Sequence, residues 1–295
     1  MGFDRLRASL AGLPPRRVAV AGAASPGVLA GLALARDQGL AMPLLCGEEP
    51  AIRAAAAQEG IDLGGMEVCP ASGPEAAARA AVALVREGAA DVLLKGHVPT
   101  PAFLRAVLDR VSGLRCGALL THLAAFEIPA LDRVVFLTDS GMIPFPDLET
   151  KARILENAVA YLARIGIPAP HVALLAANEE VDPAIPASAD AAALRAMATR
   201  FAPAVTDGPL GLDLALSPAA AAAKGVDSPV AGRADLLLCP DVVAGNLLGK
   251  SFIYVGGARA AGVVLGARCP VVMLSRADTP DTRVRSLVLA LAGAE

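Results

Sequence analysis

Short apolar runs alternate along the chain with longer stretches in which apolar residues recur every three or four positions, as in strands interleaved with helices. Residues 2–12 read as a short helix and Arg17 to Ala21 as a strand. A Gly/Ser/Pro turn (Gly22, Ser25, Pro26) then leads into an apolar helix ending near Gln38. Strands are expected at Ala41–Cys46, Met66–Cys69 and Asp91–Lys95, and helices at Ala51–Gln58, Pro74–Arg86 and Pro101–Arg110. This alternation predicts a parallel sheet covered on both faces.

Leu119–Phe126 and Arg133–Thr138 read as strands joined through Ile128-Pro129, and His171–Ala176 as another. A helix over Asp147–Arg164 is signalled by Asp147 and Glu149 at its start and Gly166 past its end. Ala-rich helices are expected at Asp190–Arg200 and Gly211–Ala223. Strands at Ala261–Leu265 and Val271–Leu274 and a helix at Asp281–Leu291 close the chain. The pattern divides into two doubly wound units, residues 1–130 with 262–295 and residues 131–261.

The stretch Ser228–Lys250 organises the rest. A Pro/Gly turn, Ser228 to Gly232, precedes the apolar run Ala234–Cys239, the length of a buried parallel strand. Pro240 then stops the strand, and Asp241 can cap a helix by accepting from its first free N–H groups. Asn246 and Lys250, four apart, share a face of that helix. Polar groups just past the carboxyl end of a strand sit where open α/β sheets bind ligands.

Two other strand-to-helix turns carry polar residues. In Leu94-Lys95-Gly96-His97-Val98-Pro99-Thr100, Gly96 allows close backbone approach, Thr100 can cap the helix from Pro101, and Arg105 lies about one turn in. A helix start with Lys and Arg nearby is an anion site. In Leu274-Ser275-Arg276-Ala277-Asp278-Thr279-Pro280-Asp281, Arg276 can grip a phosphate bidentately and Ser275 can donate to an oxyanion. Asp278 or Asp281 can take a proton there, or can simply join Thr279 in capping the helix.

Composition removes several classes. With 295 residues, 55% hydrophobic and 19% charged, the chain can bury a large core. Its net charge of −3 argues against a nucleic-acid partner or an anionic membrane surface. A phosphate-bearing ligand must therefore be held by local cations and backbone N–H groups. Arg occurs 22 times but Lys only at 95, 151, 224 and 250, and two of these four fall in the turns above. Five scattered cysteines and three lone histidines form no C-x-x-C or zinc spacing, so neither a metal site nor a disulfide framework is expected, and a cytoplasmic location is. The charged start (Asp4, Arg5, Arg7) does not read as a signal peptide, and apolar runs are broken before about 18 residues, too short for a membrane span. There is no G-x-S-x-G, H-E-x-x-H, G-x-G-x-x-G or Walker pattern.

Together these motifs resemble the phosphate acetyltransferase / phosphate butyryltransferase family. The resemblance covers nearly the whole chain and is strongest from Asp91. It is carried by L-L-K-G…T at 93–100, T-H-L-A-A-F-E-I-P at 121–129, D-R-V-V-F-L-T-D at 132–139, P-D-L-E-T-K at 146–151, D-G-P-L at 207–210, S-P-V-A-G at 228–232, P-D-V-V-A-G-N-L-L-G-K at 240–250 and S-R-A-D at 275–278. The wording of 121–151 is closer to the butyryl branch.

The resemblance implies a two-domain doubly wound α/β fold similar to the isocitrate/isopropylmalate dehydrogenases, with the active-site cleft between domains, and a homodimer. It implies reversible transfer of an acyl group between acyl-CoA and phosphate in a ternary complex. CoA and phosphate would be substrates, with no cofactor, metal or covalent enzyme intermediate. Ser275 and Arg276 would lie at the reacting centre, with Asp281 as base and Asp278 as its substitute. The acetyl branch places an acidic residue early in the last helix; Asp281 falls at or one place from that position. Lys95, Thr100, Arg105, Ser228, Asp241, Asn246 and Lys250 would bind phosphate or CoA. An NAD- and divalent-metal-dependent dehydrogenase of the same fold, or a non-catalytic CoA- or acyl-phosphate-binding protein, is the alternative.

Overall fold

The computed structural model describes residues 2–273 and 278–294. In chain order the elements are α1 (Phe3–Ala8), β1 (Arg16–Ala21), α2 (Pro26–Asp37), β2 (Ala41–Gly47), α3 (Glu49–Gln58), β3 (Glu67–Pro70), α4 (Pro74–Arg86), β4 (Val92–Lys95), α5 (Thr100–Leu108), β5 (Thr121–Glu127) and β6 (Val134–Thr138). There follow α6 (Leu148–Arg164), β7 (His171–Leu175), α7 (Pro186–Ala196), a 3₁₀ turn (Ala198–Phe201), β8 (Val205–Leu210), α8 (Leu212–Leu216), α9 (Pro218–Lys224), β9 (Leu236–Leu238), α10 (Val242–Tyr254), β10 (Arg259–Leu265), β11 (Val271–Met273) and α11 (Pro280–Ala292). Two compact units result. A terminal unit holds Phe3–Ala118 with Ala261–Glu295, and a central unit holds Leu119–Ala260 with the chain start. Residues 119–130, placed by their sequence with the terminal unit, belong to the central one, because β5 pairs antiparallel with β6 from Ala124↔Leu137 to Glu127↔Val134.

In the terminal unit the strands run in the order β3-β2-β1-β4-β11-β10. β1 is parallel to both β2 and β4, and β4 is parallel to β11; β10 and β11 are antiparallel, which the expected all-parallel sheet did not include. The chain moves from β1 outward to β2 and β3, then returns past β1 to build β4. The carboxyl ends of β1 and β4 therefore flank a topological switch point. Val18 to Ala21 of β1 are all fully buried, as a strand covered on both faces requires. α4 covers this sheet with Ala77, Ala78, Ala81, Val82 and Val85, one apolar stripe at helical spacing.

The turn after β4 closes tightly on the turn after β1. Gly96 N–H donates to Ala21 O at 2.9 Å and His97 N–H to Gly22 O at 2.6 Å. A Cβ on Gly96 would stand 2.3 Å from Gly22 O and 2.9 Å from Ala21 O, so only glycine fits.

In the central unit the order is β5-β6-β9-β7-β8, with β6, β9, β7 and β8 parallel. Phe126, Leu137, Val230 and Leu237 belong to its core, against which Leu248 and Phe252 of α10 pack. The Phe252 ring meets Phe126 edge-on at 5.3 Å. α10 approaches this surface through two glycines. A Cβ on Gly249 would lie 3.1 Å from the Phe126 ring, and one on Gly245 only 2.6 Å from Asp139 O. α6 starts as its sequence predicts: Asp147 accepts from Thr150 N–H at 2.8 Å. Lys151 in that helix is buried and paired with Asp190 at 2.6 Å.

Two expected helices need correction, and one strand was not expected. β8, for which no element was expected, contains Asp-Gly-Pro; Gly208 and Pro209 lie in a buried edge strand, where proline's missing N–H is tolerated. Asp207 of that strand is satisfied by Arg195 at 2.9 Å and Gly208 N–H at 2.9 Å. The helix expected over Gly211–Ala223 is two helices, because Ser217-Pro218 ends one and caps the next, Ser217 Oγ accepting from Ala220 N–H. The one expected over Asp190–Arg200 starts earlier, at Pro186, and ends in the 3₁₀ turn.

Gly96→Ala and Gly245→Ala each force backbone apart, so each is expected to destabilise by roughly 1–3 kcal/mol. Thermal unfolding by circular dichroism checks this; an unchanged Tm for both would remove the close approach as a constraint. Asp190→Ala removes the carboxylate paired with buried Lys151, and is expected to lower Tm more than the double change Lys151→Met/Asp190→Leu does. Equal losses in single and double variants would show that the pair is not coupled.

Candidate functional site

Three neighbouring parallel strands of the terminal unit, β1, β4 and β11, each deliver a helix start at the same sheet edge. Lys95, the last residue of β4, is in register with Ala21, which ends β1, and with Met273, which ends β11. Met273, the last described residue before Asp278, thus ends its strand beside Lys95. α2, α5 and α11 begin after these strands, and each first turn carries N–H groups without helical acceptors. An edge gathering such N–H groups beside a lysine favours an anion.

Asp281 is exposed in the first turn of α11 and Asp278 is half-buried just before it. The helix cap is Thr279, whose Oγ1 accepts from Thr282 N–H at 3.2 Å. Asp281 is thus not the capping residue. Arg283 Nε donates to Asp278 O at 3.2 Å and its guanidinium runs beside Gly27 of α2, tying the start of α11 to that helix. Ser275 and Arg276 lie outside the described residues.

The β4 turn differs from its expected form. Thr100 is the first residue of α5 and makes no cap; Pro99 holds the cap position with no side-chain bond. Proline at that position left the first turn with no side-chain acceptor of its own. Arg105 is exposed, five residues after the first residue of the nine-residue helix and so within its last turn.

In the central unit, Asp241 caps α10, Oδ1 accepting from Ala244 N–H at 2.9 Å. Asn246 and Lys250 both lie on α10 and are exposed. Ser228 does not join them. Its Oγ accepts from Val230 N–H at 3.2 Å in a turn that precedes β9, whereas Asp241 follows that strand's carboxyl end.

Beside the Asp241 turn lies a polar cluster to which the sequence reading assigned no role. Thr138 at the end of β6 is in register with Leu238 at the end of β9. Asp139, buried, accepts three backbone N–H groups: from His122 at 2.9 Å, Gly141 at 2.7 Å and Met142 at 2.8 Å. Thr138 Oγ1 donates to His122 O at 2.9 Å, and Ser140 Oγ lies 2.8 Å from His122 Nδ1. The legible signal was Asp-Ser-Gly directly after a strand, the composition of a turn in which Asp bonds backbone ahead of it. Burial, with the Asp241 and Asp139 carboxylates nearby, pushes the Cys239 thiol up to about 12. It carries almost no thiolate at neutral pH and is no nucleophile.

A model of the phosphate acetyl/butaryl transferase family matches residues 73–291. A phosphate acetyltransferase of Rhizobium meliloti is 40% identical over 290 residues, covering 98% of this chain and 92% of its own. A phosphate butyryltransferase of Clostridium beijerinckii is 38% identical over 290 residues, covering 98% and 96%. A solved branched-chain phosphotransacylase of Enterococcus faecalis V583 superposes with a TM-score of 0.86 at 31% identity, over 94% of this chain and 98% of that one. By this match along almost its full length, and as its turn motifs indicated, the chain belongs to the phosphate acetyl/butyryltransferase family.

Proposed function

We propose that the protein transfers a short acyl group reversibly between CoA and inorganic phosphate, and that phosphate is received at the carboxyl edge of β1, β4 and β11. The observation that supports this most directly is the register of Met273, two residues before Ser275 in the chain, with Lys95. A phosphate oxygen attacks the acyl carbonyl carbon, a tetrahedral oxyanion forms, and the C–S bond breaks. CoA leaves as thiolate and then takes a proton. In reverse, a thiol with pKa near ~8.5 must lose its proton to attack, which calls for a base.

Each candidate residue has a role in this scheme. Arg276 holds the phosphate and Ser275 donates to the oxyanion. Asp281, exposed at the start of α11, takes the thiol proton, with Asp278 as substitute. Lys95, Thr100 and Arg105 add positive charge and donors on the β4–α5 side. Ser228, Asp241, Asn246 and Lys250 are assigned to CoA or phosphate on the family resemblance; Asp241 keeps one oxygen for its helix. Much of the rate comes from holding two substrates together. No cofactor, metal or enzyme-bound acyl group takes part, and the raised Cys239 thiol agrees with that last reading. Acetyl and butyryl groups are both admitted, since one methylene is worth only about 1–3 kcal/mol of discrimination. We also read the protein as cytoplasmic and homodimeric. The free cysteines support the first and the family resemblance the second. Among the described residues no helix is long and apolar enough to cross a membrane.

Purified protein mixed with acetyl-CoA or butyryl-CoA is expected to release thiol only when phosphate is added. No phosphate-dependent release across a panel of acyl-CoAs would overturn the proposal. In the same assay Arg276→Ala is expected to lower the rate at fixed phosphate by at least about tenfold, and unchanged kinetics remove Arg276 from the site. Asp281→Asn is expected to slow acyl-phosphate formation and its reversal alike. Full activity in that variant, with loss in Asp278→Asn, would move the base to Asp278.

A further inference from the structure

Arg283 stands at the starts of two helices of the terminal unit. It is the fourth residue of α11, where its backbone N–H donates to Thr279 O at 3.1 Å and closes the first turn. Its side chain then crosses to α2. Arg283 Cβ lies 3.4 Å from where a Cβ on Gly31 would stand, and the guanidinium carbon 3.7 Å from the corresponding point on Gly27, the second residue of α2. Gly27 and Gly31, four apart, share one face of that helix and leave room for the arginine stem. At the end of this path Nε donates to Asp278 O at 3.2 Å.

Packing does not explain an arginine here. The start of a helix carries partial positive charge and favours anions, so a guanidinium beside the first turns of both α2 and α11 is disfavoured by each. A methionine would fill the same space without that cost. Nor does α11 need the charge to stay docked, since Val284, Leu287, Val288 and Leu291 bury its inner face. What arginine adds is a cationic donor aimed at one carbonyl, and such bonds are stronger than neutral ones. That carbonyl belongs to the residue directly before the Thr279 cap. Met273, the last described residue before it, is held by its register with Lys95. In the sequence Ser275 and Arg276 fall between these two pinned points, and Asp281 follows the second.

We propose that Arg283 is a positioning residue for acyl transfer: it holds the Asp278 carbonyl against α2 and so fixes where α11 begins and where Asp281 presents its carboxylate. This deepens the acyl-transfer reading above and rests on it. Arg283 acts through the backbone it holds and not by touching the acyl group or phosphate. Without the guanidinium the buried half of α11 stays in place while its start is free to shift. A displacement of about 1 Å at a reacting group costs on the order of a hundredfold in rate, so a small shift there suffices.

Steady-state kinetics of the full chain in the phosphate-dependent thiol-release assay, with Tm measured alongside, test this. Arg283→Met is expected to lower kcat about 10–100-fold while the KM for acyl-CoA stays within about twofold of wild type. Its Tm is expected to be unchanged or raised, because a cation leaves two helix starts. Arg283→Lys keeps a cationic donor and is expected to recover part of the lost kcat. A wild-type kcat in Arg283→Met overturns the assignment, and if the KM for phosphate alone rises the arginine is a phosphate contact instead. A kcat loss that Arg283→Lys leaves unrelieved, or that follows a fall in Tm, overturns it too. Should Arg283→Met not fold, Gly27→Leu decides: its side chain takes the guanidinium's place, so the same kcat loss is expected with Arg283 present, and full kcat overturns the proposal. A wild type inactive towards every acyl-CoA overturns the acyl-transfer reading and this assignment with it, whereas an active wild type with an undiminished Arg283→Met overturns the assignment alone.

Discussion

Close approach of backbone to backbone, with no room for a Cβ, governs both places where this fold gathers polar groups. In the terminal unit Gly96 lets the β4 turn rest on the carbonyls of Ala21 and Gly22. In the central unit Gly245 lets α10 rest on the carbonyl of Asp139. In each case a helix start is fixed relative to the next strand by hydrogen bonds and packing rather than by a flexible loop. That rigidity matters for transferring an acyl group between two bound substrates, because the rate depends on holding reacting atoms at a set distance. Any larger side chain at either glycine would push the two backbones apart and widen the turn.

The carboxyl edge of the terminal unit derives its chemistry from topology. β1 and β4 are parallel neighbours whose following chains leave in opposite directions along the sheet, and β11 joins β4 on its far side. Three helix starts therefore arrive at one edge without any one residue dictating it. Thr279 shows how the capping is divided. It satisfies Thr282 N–H, which releases Asp281 from that duty and leaves its carboxylate exposed. A carboxylate committed to a cap would be a poorer base, since hydrogen bonds to its charged form lower its proton affinity.

The sequence was most legible where period and punctuation agreed. β1 could be read from four consecutive small apolar residues after two arginines, and α6 from Asp147, its amphipathic spacing and Gly166. The Ser228–Lys250 stretch gave β9, the Asp241 cap and α10 in order. Legibility failed where a residue's local preference was overridden by pairing. Asp207-Gly208-Pro209 has the chemistry of a turn, but β7 supplies a ladder on one side and the free edge tolerates proline on the other. The antiparallel pairs β5–β6 and β10–β11 were equally hidden, because strand direction is set by which connection crosses the sheet and leaves no mark on the strand itself.

Site chemistry was legible only to the extent that it sat in turns. Lys95, Asp241 and Asp278 announced themselves by interrupting apolar runs, whereas Asp139 and Ser140 looked like the ordinary end of a strand. They do more than that, since the buried Asp139 carboxylate, accepting three backbone N–H groups, holds the β6 turn and the start of β5 together. Cys239 follows from the same neighbourhood. A thiol lodged beside two carboxylates in a buried strand end is kept protonated, so this enzyme has a cysteine next to a polar turn without the means to use it as a nucleophile. In the acyl transfer proposed above, the burden of catalysis falls on orientation and on the charge that receives the oxyanion.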